Sequence, residues 1–176
     1  MNDTSLWDKL QKGQQEAFNQ IFRSYYSDLK AYGIKISQNE ELTKEAIQVL
    51  FVKIWERREQ LGAVTSIKAY LIRAYRRNLI DLLEAEKKRA RQSYPLPAFH
   101  ISPEELSIYR QEQKEQATQI TQLLNRLPDN QKEVIYLRFY NQLSYLEIAE
   151  ILDLNYQTVR NYGAKAMKFL AKEWKK

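Results

Sequence analysis

Two consecutive capped helices near the C-terminus constrain the fold of this chain more than any other feature. Ser144, followed three residues later by Glu147, has the spacing of a capping box, which predicts that a helix begins there. Asp153 tolerates a left-handed backbone and predicts the turn after that helix. Asn155 is a favourable N-cap for a second helix, in which Val159 begins a core-facing stripe at helical spacing. The pattern predicts a helix-turn-helix.

The face of the second helix opposite its core stripe is polar and cationic. Side chains of these types pair with base edges and phosphates in a DNA major groove. The exposed face comprises Gln157, Arg160, Asn161, Ala164, Lys165 and Lys168. An ordinary helical hairpin with a solvated face is the alternative interpretation. The excess of basic over acidic residues from Val134 to Lys176 favours DNA.

Composition excludes several classes of function. The chain has 176 residues, no cysteine and a single histidine, His100, which has no partner for catalysis or metal binding. No glycine-rich phosphate loop or suitably spaced pair of acids is present, so we expect no enzyme activity, cofactor, metal or small-molecule substrate. No apolar run approaches the roughly 20 residues of a membrane span, and no signal peptide is evident. A cytoplasmic protein is therefore expected.

Helix caps and breakers divide the chain into two parts. The chain has 44% hydrophobic residues but only four glycines and four prolines, and no strand pattern is evident. This composition predicts an all-α fold. We predict an N-terminal helical domain over 1–91, a proline-containing linker over 92–102, and a C-terminal domain over 103–176. Basic residues are in excess over 61–100 and again near the C-terminus, as expected of a protein that touches one polyanion at two places.

A predicted helix from Glu40 to Arg58 is apolar on nearly every side. Its main stripe is Leu42, Ala46, Ile47, Leu50, Phe51, Ile54 and Trp55, and Val49 and Val52 add apolar surface elsewhere. A domain of about 90 residues can hardly bury all of this surface. The pattern therefore favours a docking surface for a protein partner, with a plain core helix as the alternative.

The next predicted helix, from about Ser66 to Ala90, is basic. Its core stripe is Leu71, Ile72, Tyr75, Leu79 and Leu82, while Arg73, Arg76, Arg77 and Lys87 gather elsewhere. Basic residues interleaved with aromatics suit single-stranded nucleic acid, on which bases can stack. Tyr75 lies within the stripe and is interpreted as a core residue.

Taken together, these segments resemble the extracytoplasmic-function group of bacterial RNA polymerase sigma factors, the two-domain form of that family. The order and spacing of several short segments carry the resemblance over nearly the whole chain. These segments are Ile47–Trp55, Ala69–Leu71, Arg77–Asp81, Leu127–Pro128, Leu143–Leu152 and Thr158–Asn161.

The resemblance implies the partners and the residues that meet them. Core RNA polymerase would be bound at its β′ clamp helices through Gln48, Val49, Phe51, Val52 and Trp55. The promoter −10 element, melted and single-stranded, would be read by Tyr70, Arg73, Arg76, Arg77, Asn78 and Lys87. The duplex −35 element would be read by Asn155, Tyr156, Gln157, Arg160, Asn161, Lys165 and Lys168, with that domain also resting on the polymerase β flap. An anti-sigma factor is a further implied partner.

Two departures from the family pattern stand out. Val49 occupies a position where the family usually has an acidic residue, and Gly163 lies inside the second helix of the helix-turn-helix, where a larger side chain is usual. Glycine in a helix interior costs about 1 kcal/mol relative to alanine. The alternative function, a stand-alone helix-turn-helix regulator, would need a dimerisation or ligand domain at the N-terminus, and no sensor-pocket signature is seen there.

Overall fold

A computed structural model of the chain describes residues 3–90, 97–101 and 111–174. All regular structure in these ranges is helical, and the predicted all-α fold with two helical domains and a C-terminal helix-turn-helix is confirmed. The helices are α1 Asp3–Gln11, α2 Gln15–Ser37, α3 Glu40–Glu56, α4 Ile67–Arg89, α5 Gln111–Asn125, α6 Asp129–Ile135, α7 Tyr145–Leu152 and α8 Tyr156–Glu173. None of the described helices is long and apolar enough to cross a membrane.

The chain divides into two compact units, Met1–Pro97 and Ala98–Lys176. The predicted linker over 92–102 lies partly outside the described residues. Within it, Phe99 and Ile101 are buried, so this end of the segment packs with the second unit. The predicted limits of the two domains, 1–91 and 103–176, remain a prediction.

Helices α2, α3 and α4 form the core of the first unit, and α1 packs beside them. Their interior is largely aliphatic, as the apolar stripes predict, and Trp7, Tyr32 and Tyr75 are also fully buried in this unit. Its fully buried side chains include Leu10, Ile21, Leu29, Ile47, Leu50, Ile67, Leu71 and Ile72. Asn39 caps α3 by accepting from two backbone N–H groups, and Ser66 caps α4.

Tyr75 is a core residue, as predicted, and lies against the backbone of α2. Its hydroxyl donates to the Thr43 carbonyl oxygen at 3.3 Å, and its side chain is fully buried. Burial raises the pKa of Tyr75 well above the usual 10.0. A Cβ added to Gly33 would stand 1.8 Å from the Tyr75 hydroxyl oxygen. Glycine at position 33 therefore makes room for the tyrosine.

Two details of α3 and α4 differ from the sequence-based expectation. Helix α3 ends at Glu56, and a short 3₁₀ turn over Arg58–Gln60 follows it. In α4 the buried leucine of the last turns is Leu83, whereas Leu82 is only half-buried. The buried stripe of α4 shifts around the helix there, because 3.6 residues per turn do not match a constant spacing of three or four residues.

The described part of the second unit consists of α5 to α8 and the short segment 98–101. The Asn125 side chain holds this segment by donating to the Ile101 carbonyl at 2.8 Å and accepting from its N–H at 3.2 Å. The predicted start of the C-terminal domain, at residue 103, lies outside the described residues. Helix α6 continues into a π-helical turn, Tyr136–Tyr140, which the sequence pattern did not predict.

The helix-turn-helix forms as its caps predict. Ser144 and Glu147 make the reciprocal capping box at the start of α7. Asp153 takes up the left-handed conformation with φ 55°. The Asn155 side chain accepts from the Thr158 N–H at 2.7 Å and caps α8. Local sequence is therefore sufficient to determine where α7 begins and ends and where α8 begins.

Gly163 in α8 has a packing reason that the sequence did not reveal. A Cβ at this position would lie 2.7 Å from the hydroxyl oxygen of Tyr145 and 3.0 Å from its ring. The guanidinium of Arg138 lies 5.2 Å from the same ring centroid and donates to the Leu143 carbonyl at 2.8 Å. The first residue of α7 thus takes the volume that a side chain at 163 would occupy.

Candidate functional site

An apolar groove runs between α2 and α3 in the first unit. We call it the α2–α3 groove; its volume is about 670 Å³. Its lining residues are Gln15, Phe18, Asn19, Phe22, Tyr26, Lys44, Ile47, Gln48, Phe51, Val52, Trp55 and Glu56. Four of the five residues predicted to bind polymerase line it, and the fifth, Val49, is half-buried outside it.

Aromatic rings form the floor of this groove. Phe51 is only 3% exposed, and its ring centroid lies 4.9 Å from that of Phe22 and 5.8 Å from that of Phe18. Phe18 also packs edge-on against Trp55 at 5.1 Å. Val52, at the rim, is 48% exposed. The site therefore offers an apolar cavity bordered by an exposed valine, rather than a row of projecting side chains.

The contribution of α2 to the groove was missed at the level of sequence. Phe18, Phe22 and Tyr26 are spaced by four residues, which places all three on one helix face. That spacing was a usable signal. It was overlooked because the apolar excess of α3 is more conspicuous in the sequence.

A second, polar cleft lies between α3 and α4 and is called here the α3–α4 cleft. Its volume is about 650 Å³. It is lined by Leu50, Lys53, Ile54, Arg57, Leu61, Tyr70, Arg73, Ala74, Arg77, Asn78 and Asp81. Four cationic side chains and one acidic side chain line the cleft, and all four cationic side chains are exposed, so a polyanion can reach them.

Of the residues predicted to read single-stranded DNA, four line this cleft and two do not. Tyr70, Arg73, Arg77 and Asn78 are brought together by their spacing along α4. Arg76 is half-buried on the same helix outside the lining. Lys87 lies near the C-terminal end of α4 and is also outside the lining.

The end of α3 supplies cleft residues that the sequence reasoning did not select. Lys53 Nζ donates to Asn78 Oδ1 at 3.0 Å and so orients the amide. Arg57, four residues after Lys53, lines the same cleft. With its oxygen held by Lys53, the Asn78 side chain has its amide N–H groups left to offer an acceptor.

Tyr70 connects the cleft with the rest of the unit. One side of its ring packs edge-on against Trp7, with ring centroids 4.9 Å apart. Burial raises the pKa of Tyr70 above the usual 10.0, so the phenol stays neutral at physiological pH. A neutral ring at the edge of a cationic cleft suits stacking on a base.

In the second unit, the predicted DNA-reading face of α8 is exposed throughout. Gln157, Arg160, Asn161, Lys165 and Lys168 all lie on it with exposed side chains. Gln157 donates to Asn161 Oδ1 at 3.1 Å across one helical turn. This exposed hydrogen bond can be exchanged for a base edge at low cost, because water competes for both groups already.

Asn155 and Tyr156, at the start of α8, play more structural parts. The Asn155 oxygen is engaged in the N-cap, which leaves its amide N–H groups for a partner. The Tyr156 ring lies 5.8 Å from the Arg160 guanidinium, in the range of a cation–π contact. Tyr156 therefore helps to direct Arg160.

Comparison with known families assigns both units. The family model described as Sigma-70 region 2 matches residues 21–89, and the one described as Sigma-70, region 4 matches residues 117–170. The first match contains every residue that lines the cleft and nine of the twelve that line the groove. The second contains the helix-turn-helix.

Similar proteins lead to the same family. The chain is 23% identical over 159 residues to the ECF RNA polymerase sigma factor SigK of Mycobacterium tuberculosis (strain H37Rv), covering 85% of this chain and 83% of the relative. It is 24% identical over 177 residues to the ECF RNA polymerase sigma factor SigW of Bacillus subtilis (strain 168), covering 94% and 92%.

Two solved structures share the fold. CnrH, in complex with the cytosolic domain of CnrY, gives a TM-score of 0.65 at 19% identity, covering 98% of this chain and 97% of that chain. RpoE of Bartonella quintana, in complex with the anti-sigma factor NepR, also gives 0.65 at 19%, covering 90% and 96%.

These findings favour the sigma-factor interpretation over a stand-alone regulator, and the family consists of transcription initiation factors rather than enzymes. The predicted resemblance is confirmed by region 2 and region 4 matches in the expected order along the chain. The chain therefore belongs to the sigma-70 family: it is an alternative sigma factor of the extracytoplasmic-function group, which binds core RNA polymerase and directs promoter-specific initiation of transcription.

Proposed function

We propose that the three surfaces described above divide the work of a sigma factor among them. The α2–α3 groove binds the β′ clamp helices of core polymerase, the α3–α4 cleft holds the unpaired −10 strand, and the exposed face of α8 reads the −35 duplex. The observation that carries this proposal is the contrast between an apolar groove and a cationic cleft on two sides of one helix, α3.

The groove has the character of a protein-binding site. Its floor is aromatic and its rim includes exposed Gln48 and Val52 beside half-buried Trp55. Aromatic and apolar pockets of this kind receive anchor side chains from a partner helix. Val49 lies outside the groove and is not assigned to this contact, so the acidic residue that the family usually has there is not needed for the groove itself.

The cleft has the character of a site for single-stranded nucleic acid. Arg73 and Arg77 face the backbone phosphates, Asn78 offers N–H groups to a base edge, and Tyr70 supplies a ring for stacking. We add Lys53 and Arg57 to this set, because both line the cleft. Contacts of this kind are sensitive to salt, since each neutralised phosphate releases a counterion.

The α8 face reads duplex DNA through two kinds of contact. Arg160 and the Gln157–Asn161 pair are assigned to base edges, and Lys165 and Lys168 to phosphates. The second unit also rests on the polymerase β flap. Two modest DNA contacts become selective because they are linked and must be satisfied together.

We further propose that a cognate anti-sigma factor holds this protein inactive in the cytoplasm. The two solved structures named above are complexes, one with the cytosolic domain of CnrY and the other with the anti-sigma factor NepR. The exposed apolar groove gives such a protein a surface to cover. A pull-down from uninduced cells should recover it, and repeated failure to recover any such protein would contradict the proposal.

The division of labour can be tested with one variant for each surface. Val52→Glu places a charge at the groove rim and should weaken binding to core polymerase at least tenfold. Ile34→Glu, the same kind of change at an exposed position outside the groove, is the matched control. Arg77→Ala should weaken single-strand binding by the holoenzyme, and Arg160→Ala should weaken −35 duplex binding. The assignment fails if each variant leaves its own surface unaffected.

A further inference from the structure

The loop between α3 and α4, residues 61–66, has no regular structure, yet side chains of α1 fix its path. Trp7 Nε1 donates to the Gly62 carbonyl oxygen at 2.9 Å. The Gln11 side-chain amide donates to the Leu61 carbonyl oxygen. Two successive backbone carbonyls of the loop are therefore held by side chains of one helix that lie 50 and 55 residues earlier in the sequence.

A third contact extends this arrangement to the start of α4. Asp3 Oδ2 accepts from the Ile67 N–H at 3.1 Å, one of the backbone donors that the first turn of a helix leaves unsatisfied. Asp3, Trp7 and Gln11 are spaced by four residues and so lie on one face of α1. The same face carries the Trp7 ring that packs against Tyr70.

These contacts act on the α3–α4 cleft from outside. Leu61 and Tyr70 line the cleft, whereas no residue of α1 does. Between Leu61 and Ile67 the loop has little packing of its own, because Gly62, Ala63 and Thr65 are exposed. Without the hydrogen bonds from α1, this edge of the cleft would sample many conformations.

We infer that α1 is a brace that holds the α3–α4 loop in the conformation needed to bind the unpaired −10 strand. Asp3, Trp7 and Gln11 are positioning residues, since they act through the loop and do not touch DNA. The inference rests on the proposed role of the α3–α4 cleft. Apparent affinity falls in proportion to the fraction of molecules whose loop is correctly placed, so loss of the brace weakens strand binding without removing any DNA contact.

The test uses Gln11→Leu and Trp7→Phe, each of which removes the hydrogen bond donated to the loop while keeping most of the side-chain volume. Each full-length variant is assembled with core polymerase, and its affinity is measured for a fluorescent single-stranded DNA of the non-template −10 region from a promoter that the unmodified holoenzyme uses. We expect a loss of about threefold to tenfold for each variant, as for removal of one hydrogen bond. Gln122→Leu, the same change at an exposed position of the second unit, is the control.

Affinity for core polymerase separates positioning from simple destabilisation, because the α2–α3 groove belongs to the same unit as the brace. Weaker strand binding with unchanged core affinity supports the brace. A parallel loss of both affinities overturns the brace. Unchanged strand binding in Gln11→Leu and Trp7→Phe also overturns it if Arg77→Ala weakens strand binding in the same assay. If Arg77→Ala and Asn78→Ala also leave strand binding unchanged, the proposed function of the cleft fails first and the brace fails with it.

Discussion

Gly163→Ala should destabilise the helix-turn-helix, although alanine is the better helix former. Replacing an interior helical glycine by alanine is worth about 1 kcal/mol in favour of the helix. The new Cβ would lie 2.7 Å from the Tyr145 hydroxyl oxygen and 3.0 Å from the ring, and overpacking of this kind costs about 2 kcal/mol. The net expectation is a loss of about 1 kcal/mol.

The Tyr145 ring cannot swing aside without loss. Arg138 stacks over it at 5.2 Å and is itself anchored by a hydrogen bond to the Leu143 carbonyl. Tyr145→Phe removes the closest atom and leaves the ring at 3.0 Å and 3.2 Å from the new methyl group. In that background Gly163→Ala should therefore be close to neutral, which gives a coupling of about 1 kcal/mol in the double-mutant cycle.

Hydrogen exchange measured by mass spectrometry on peptides from α7 and α8 is the appropriate assay, because it reports opening of this unit alone in the full-length protein. Duplex −35 binding should fall alongside, since α8 must shift away from α7 to admit the methyl group. Stabilisation by about 1 kcal/mol in both backgrounds would refute the argument, because helix propensity would then be the whole effect.

Three further perturbations have defined outcomes. Gly33→Ala should destabilise the first unit by about 3 kcal/mol, because its Cβ would stand 1.8 Å from the buried Tyr75 hydroxyl oxygen. Gly62→Ala is the control and should be nearly neutral, because nothing lies within 4 Å of its added Cβ. Equal unfolding midpoints of the two variants in urea would contradict the prediction. Burial raises the pKa of Tyr75, so the stability that it contributes is complete below pH 10.0, where the unfolded residue titrates. Above that pH the unfolded state releases the proton first and stability falls by about 1.4 kcal/mol per pH unit. Tyr75→Phe should flatten this part of the urea-measured pH profile, and an unchanged slope would count against the assignment. Ser144→Ala removes half of the capping box and should cost about 1 kcal/mol in α7 exchange protection, whereas Ser144→Thr should keep most of it.

Features that depend on neighbouring residues in the sequence could be predicted, and they came out as expected. The capping box at Ser144, the left-handed Asp153 and the N-cap at Asn155 all act within four residues, so local chemistry determines them. The exposed face of α8 follows from periodicity in the same way, because burying Val159 turns Arg160 outward.

Features that depend on tertiary packing could not be predicted. No local pattern indicates that Tyr145 fills the space above Gly163, since the two residues lie on different helices. Lys53 and Arg57 look like ordinary solvated residues at the end of a helix until α4 is placed beside them. The brace is invisible in the sequence for the same reason, because the contact partners of Gln11 are backbone carbonyls, which every residue has.

The most direct test of the central claim is association with sigma-free bacterial core polymerase, with binding of the protein alone to promoter DNA as the comparison. Mixing the purified full-length chain with core polymerase should give a tight complex that initiates transcription from defined promoters, while the protein alone should bind the same DNA poorly. Absence of a complex with core polymerase, together with sequence-specific duplex binding by the protein alone, would contradict the account.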